Sequence, residues 1–148
     1  MCAKKRFRAK GAEVAKGDMT ENEISKIIVQ AALDLHRELG PGLLESVYEV
    51  LLADLLSERG LRVERQRAIP IVFRGKRFDE GFRADLVVEN LVLVELKSIE
   101  TLARVHRKQV LTYLRLSNLK LGLLINFGGE VLRGNIERLV NNLDEPTA

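Results

Sequence analysis

Apolar residues recur along this chain with two different periods, and the change from one to the other separates helical from extended stretches. Ile24, Ile27, Ile28, Ala31, Ala32 and Leu35 repeat as one face of a helix. Thr20-Glu21-Asn22-Glu23 ahead of them has the Thr-x-x-Glu form of a capping box. Gly40-Pro41-Gly42 ends this helix near Leu39, because Gly suits a helix end and Pro stops continuation. A second helix is predicted from Leu43 to Arg59, with Leu44, Val47, Tyr48, Leu51, Leu52 and Leu55 inward, so the two form a hairpin. The period then shortens. Leu61, Val63, Ile69, Ile71, Val72 and Phe73 lie among polar residues as in strands, and Arg74-Gly75-Lys76 reads as a turn. Phe82 to Val88 and Leu91 to Lys97 are two further strands joined around Glu89-Asn90, the second apolar on both faces and therefore central. Thr101 to Leu116 reads as a helix and Leu119 to Phe127 as a buried strand. After Gly128-Gly129 a last amphipathic helix carries Val131, Leu132, Ile136, Leu139 and Val140. The predicted order is α-α-β-β-β-α-β-α.

Composition changes this picture little. The chain has 148 residues, 46% hydrophobic and 30% charged, enough for one domain over 19–148 with a core that needs no disulfide or structural metal. The lone Cys2 can form neither internally. Charge is more informative. Lys4, Lys5, Arg6, Arg8, Lys10 and Lys16 lie in residues 1–18 against only Glu13 and Asp18, so the net charge of +3 belongs to a basic tail and the rest is slightly acidic. The tail reads as disordered. A phosphate-holding arm has the same composition, and so has a leader ahead of a start at Met19. No apolar run follows Arg8 as in a secretion signal, which indicates a cytoplasmic, reducing compartment. Runs such as Leu121 to Ile125 are far shorter than the ~18 residues of a membrane span.

Several polar residues stand where apolar ones are expected. In Val92-Leu93-Val94-Glu95-Leu96-Lys97, Glu95 and Lys97 project from the same face of a central strand. Buried charge without partners costs several kcal/mol, so the pair needs other charges, a metal or a substrate, or else a solvated edge where the two neutralise each other. Asp85 adds weight to the former. If the hairpin turns about Asn90, Asp85 lies opposite Glu95, and two carboxylates converging beside a Lys suit Mg²⁺. On the later helix, Gln109 and Tyr113 fall within the arc of Leu102, Val105 and Leu116 and are expected to face inward, while Arg104, Lys108 and Arg115 form a solvated face. On the second helix Glu45 and Tyr48 are expected to face the same cavity as Asp85 and Glu95. His36, near the edge of its apolar face, is a candidate to join them or a simple packing residue. The aromatic residues read as core or site residues, with no platform for stacking single-stranded bases.

These residues carry a resemblance. Gly42-Leu43-Leu44-Glu45-Ser46-Val47-Tyr48 resembles the signature of the GxxExxY protein family, and Asp85 with Glu95-Leu96-Lys97 resembles the core of the PD-(D/E)xK nuclease superfamily. Ala84 stands where the superfamily name has Pro, and Gln109-Val110-Leu111-Thr112-Tyr113 is similar to the Gln-x-x-x-Tyr motif of RecB-type nucleases. The resemblance spans Met19 to about Leu143. It implies an α/β fold with a restriction-endonuclease-like core, a mixed central sheet flanked by helices. It further implies a Mg²⁺- or Mn²⁺-dependent nuclease acting on nucleic acid, DNA before RNA. Asp85, Glu95 and the Leu96 carbonyl would be metal ligands, with Glu45 and His36 as additional candidates. Lys97 would orient or help deprotonate the attacking water, and Gln109, Tyr113 and Tyr48 would position the substrate. Superfamily nucleases that cut both strands often pair, so a homodimer is compatible with the resemblance. The alternative reading is a non-catalytic module on the same fold that binds nucleic acid or a protein partner.

Overall fold

The computed structural model describes residues 18–144. The first helix, α1 (Glu21–Leu39), opens with a reciprocal capping box: the Glu23 amide donates to Thr20 Oγ1 and the Thr20 amide to Glu23 Oε1. It ends at Gly40 with φ of 73°, a conformation that favours Gly. The second helix, α2 (Glu45–Glu58), follows after the turn through Gly42. Five strands then form one mixed sheet in the order β1 (Val63–Phe73), β2 (Lys76–Val88), β3 (Val92–Lys97), β4 (Leu121–Asn126) and β5 (Ile136–Val140). Helix α3 (Arg104–Ser117) makes the crossover between β3 and β4, which are parallel, while every other neighbouring pair is antiparallel. Among the described residues no helix is long and apolar enough to cross a membrane.

The two faces of β3 explain its all-apolar pattern. Val92, Val94 and Leu96 pack with Ile24, Ile28 and Leu52 of α1 and α2, whereas Leu93 packs with Val110 and Leu114 of α3. Glu89 and Asn90 both have positive φ (52° and 55°), and with Leu91, whose amide donates to the Val88 carbonyl at 3.0 Å, they make a three-residue hairpin loop. The resulting register pairs Val88 with Val92, Val87 with Leu93 and Leu86 with Val94, as a turn about Asn90 predicts.

Two expectations are corrected. The closing segment is a strand, not a helix: Ile136–Val140 lies along the free edge of β4, from Ile125↔Ile136 to Leu121↔Val140. Its helical spacing was spread over residues 131–140, but Gly134 adopts φ of 83° and the open ladder of β4 supplies partners that no isolated helix would have. The second strand also starts at Lys76 rather than Phe82, so β1 and β2 form a long ribbon. The basic tail lies outside the described residues.

Tyr48 is fully buried and stacks on Phe127 at 4.4 Å between ring centroids. Its hydroxyl donates to the Gly40 carbonyl at 2.5 Å and accepts from the Leu43 amide at 3.3 Å, pinning the turn that delivers α2. Tyr48→Phe removes both bonds and should cost about 1–3 kcal/mol. A urea titration should show a lower midpoint with an unchanged slope.

Candidate active site

The ladder between β2 and β3 stops at Leu86↔Val94. One residue further, carboxylates take over from carbonyls. The Asp85 amide donates to Glu95 Oε2 at 2.9 Å, and the Leu96 amide donates to Asp85 Oδ2 at 2.8 Å. The strands therefore part with their amides satisfied, and two acidic side chains are held together in the gap. Glu95 is 8% exposed. Burial, and then the charge of Asp85, push its carboxyl up to about 8, against a lowering pull from Lys97. Asp85 is raised as well, by burial first and by Glu49 and Glu45 in part.

Asp85 opens into a cavity of about 810 Å³ beside the start of α2. Its lining contains Glu45, Glu49, Asp85 and Glu100 and no Lys or Arg. Glu45 is fixed across the site by Ser98, whose amide donates to Glu45 Oε2 at 3.2 Å and whose hydroxyl donates to the Leu43 carbonyl at 2.7 Å. Lys97, half-buried at the end of β3, forms no ion pair among the described residues, and its charge acts on the Glu95 carboxyl two residues before it.

Other residues proposed from sequence are placed differently. Tyr48 holds the Gly40 turn and does not line the cavity. His36 is buried beside Phe127, its Nε2 2.9 Å from the Gly129 carbonyl, and it too is absent from the cavity wall. Gln109 is exposed. The reason is that α3 rests on Gly122 of β4: a Cβ there would come within 2.9 Å of Val110, so Val110 and Leu114 form the contact and Gln109 turns to the rim. Val105 (63% exposed) and Leu116 (45%) are turned out with it. Tyr113 stays half-buried, stacked on Phe82 at 3.9 Å, and its hydroxyl is raised by burial, then by the charges of Glu95 and Asp85.

Three supporting residues escaped the sequence reading. Glu49, 5% exposed, accepts from Arg65 Nε at 3.0 Å and from Gln66 Nε2 at 2.7 Å. The same Gln66 amide reaches Asp85 Oδ1 at 3.2 Å, and Gln66 does so from a left-handed backbone, φ 51°, in the middle of β1. Such a conformation persists only where its surroundings hold it. Asn126, fully buried, accepts from the Ile99 and Gly128 amides and donates to the Ile99 carbonyl, anchoring the chain just after Lys97. Glu49 had a signal, four residues after Glu45 on one helix, and so had Asn126, a polar break in an apolar run. Gln66, among polar neighbours, had none.

The model of the PD-(D/E)XK nuclease superfamily matches residues 22–139, more than half of the chain. The chain belongs to that superfamily. No curated protein and no solved structure matches it. The five-stranded mixed sheet flanked by helices is consistent with the restriction-endonuclease-like fold of these nucleases. Superfamily members are generally nucleases that use divalent metals, which gives the parted strands of this chain their chemical context.

The donor set fits a hard divalent cation. Asp85 and Glu95 supply two oxygen-bearing side chains whose mutual repulsion a cation would relieve, and both keep lone pairs beyond the amides they accept from. Among the described residues no three His, Cys, Asp or Glu side chains form a ready metal cluster, so main-chain oxygen and water would complete the shell, as Mg²⁺ prefers.

Two outcomes test the electrostatics. Because the folded-state pKa of Glu95 is raised from 4.5 to about 8, its protonation favours the folded protein, an effect complete below pH 4.5 and lost as pH rises through 8. In chelator, wild-type stability should fall relative to Glu95→Gln across that window, by a few kcal/mol, read by calorimetry at stepped pH. Gln66→Ala should weaken Mn²⁺ affinity about tenfold or more by isothermal titration, since an orienting partner of a ligand is lost.

Proposed function

We propose that this protein is a Mg²⁺- or Mn²⁺-dependent nuclease that hydrolyses phosphodiester bonds in DNA. The observation that carries the reading is the parted pair of strands: Glu95 accepts the Asp85 amide and Asp85 accepts the Leu96 amide, next to Lys97, which forms no ion pair among the described residues. An ion-pair network built for stability alone would pair that lysine. The assignment to the GxxExxY group within the superfamily is supported by Gly42, Glu45 and Tyr48, of which Gly42 and Tyr48 shape the turn and Glu45 faces the cavity. The Gln-x-x-x-Tyr pattern is supported by the proximity of Gln109 to the Tyr113 hydroxyl.

Asp85, Glu95 and the Leu96 carbonyl would hold the metal, and Glu45 would steady the site through Ser98 and water. When bound, the cation supplies a lowered pKa for water and positive charge against the phosphate. Lys97 orients the attacking water and faces the scissile phosphate with its ammonium. The attacking water gives up a proton to solvent as its oxygen bonds to phosphorus, the bond from phosphorus to the leaving sugar oxygen breaks, and that oxygen takes a proton from solvent. Tyr113 offers its hydroxyl to the substrate strand, held flat by Phe82. The acidic wall of Glu45, Glu49 and Glu100 repels the backbone unless cations offset it, which confines productive binding to the loaded site.

Purified protein should cleave labelled DNA with Mg²⁺ and leave it intact in chelator. Asp85→Ala and Glu95→Ala should abolish both cleavage and the metal-induced rise in melting temperature. Lys97→Ala should keep that rise and lose at least about a hundredfold in turnover, the scale of a positioned acid-base group. Cleavage that survives in Lys97→Ala would overturn the assignment, and absence of both cleavage and metal stabilisation in the wild type would favour the non-catalytic module.

A further inference from the structure

The part of the molecule that the nuclease chemistry leaves unused is the far end of the β1–β2 ribbon. Strand β3 pairs with β2 only over Leu86–Val88, so from Ala84 outward the ribbon has no third strand. Its root is packed: Ile69 and Phe82 lie against α3. Every residue from 72 to 81 is exposed, including Val72 (60%), Phe73 (64%) and Phe78 (52%). Two-stranded ribbons are marginal alone, and exposed phenylalanines on one are unexpected without a binding role.

The tip reads Phe73-Arg74-Gly75-Lys76-Arg77-Phe78, three cations enclosed by two aromatic rings. The register places Ile71 opposite Phe78 and Phe73 opposite Lys76, so both rings and the lysine share one face of the ribbon. The Arg74 guanidinium sits 5.2 Å over the Phe73 ring, and among the described residues neither Arg74 nor Lys76 has a carboxylate partner. Following β1 from Gln66, opposite the catalytic Asp85, to Phe73 covers about 23 Å, or about seven base-pair steps of duplex.

We propose that this ribbon is a DNA-duplex arm that enters the major groove about half a turn or more from the scissile bond. This deepens the nuclease reading and rests on it. The major groove of B-form DNA admits a two-stranded ribbon, whereas that of A-form RNA is too narrow. Arg74 and Lys76 hold phosphates across the groove, and Phe73 and Phe78 meet base edges, where thymine methyl groups offer apolar contact. The charge matches: the cavity is acidic and needs its cation, while the tip of the arm supplies fixed positive charge at Arg74 and Lys76, Arg77 being paired with Asp79.

The test is binding without turnover. Full-length Lys97→Ala protein is titrated by fluorescence anisotropy with a DNA duplex of about 20 base pairs, two helical turns, and with an RNA duplex of the same sequence. Adding Arg74→Ala with Lys76→Ala should weaken DNA binding and lower its salt slope by about 2. Adding Phe73→Ala with Phe78→Ala should weaken it about tenfold with the slope unchanged. The substituted side chains are exposed, so melting temperatures should stay put. Unchanged DNA affinity in both variants would overturn the arm while leaving the nuclease reading standing. Equal losses on the RNA duplex would overturn the groove assignment. A fall in self-association by sedimentation with DNA affinity intact would overturn it too, giving the face to a second copy of the chain. If the wild type cleaves nothing while arm-dependent DNA binding persists, the nuclease reading fails and the arm stands.

Discussion

Beyond Leu86 and Val94, two strands that could have continued their ladder instead exchange carbonyl acceptors for carboxylates, and the rest of the molecule is arranged around that substitution. A carboxylate oxygen replaces a carbonyl as acceptor, which keeps each amide satisfied. The cost is two like charges in a mostly buried gap, seen in the raised carboxyl of Glu95. That cost is tolerable only because the flanking strands are held rigidly elsewhere. Leu93, Val94 and their neighbours are clamped between α1 and α2 on one face and α3 on the other.

The supports converge on the same few atoms from separate elements. Gln66 reaches Asp85 from β1 while bonded to Glu49 of α2. Ser98 ties the end of β3 to Glu45 at the start of α2. Asn126 holds Ile99 from β4, and Gly128 lies so close that an added Cβ would come within 2.1 Å of the Ile99 carbonyl. The segment after Lys97 is therefore fixed on both sides. Binding chemistry that depends on two or three oxygens needs such rigidity more than it needs additional ligands.

An acidic site and a polyanionic substrate are opposed by simple electrostatics, and the fold separates the two problems. The cavity concentrates negative charge where a cation would be held, while the exposed cations of the ribbon lie beyond the packed root at Ile69 and Phe82. The stacked Phe82–Tyr113 pair joins the two regions, since Tyr113 feels the charges of Glu95 and Asp85 and Phe82 begins the free part of β2.

Residues close in sequence carried most of what could be read without coordinates. Periodicity placed seven of the eight elements, and the three-residue turn centred on Asn90 specified the register that sets Asp85 against Glu95, because local backbone geometry and side-chain alternation leave few alternatives over so short a loop. Tertiary structure decided the remainder. Ile136–Val140 became a strand because β4 had an unpaired edge, and Gln109 turned outward because α3 settles on Gly122. Tyr48 and His36 were drawn to the carbonyls of Gly40 and Gly129 instead of the cavity, and Gln66 gained its partners only when β1 was laid beside α2. Each of these outcomes depends on which distant surface a side chain meets, and hydrophobic spacing along one element contains no term for that.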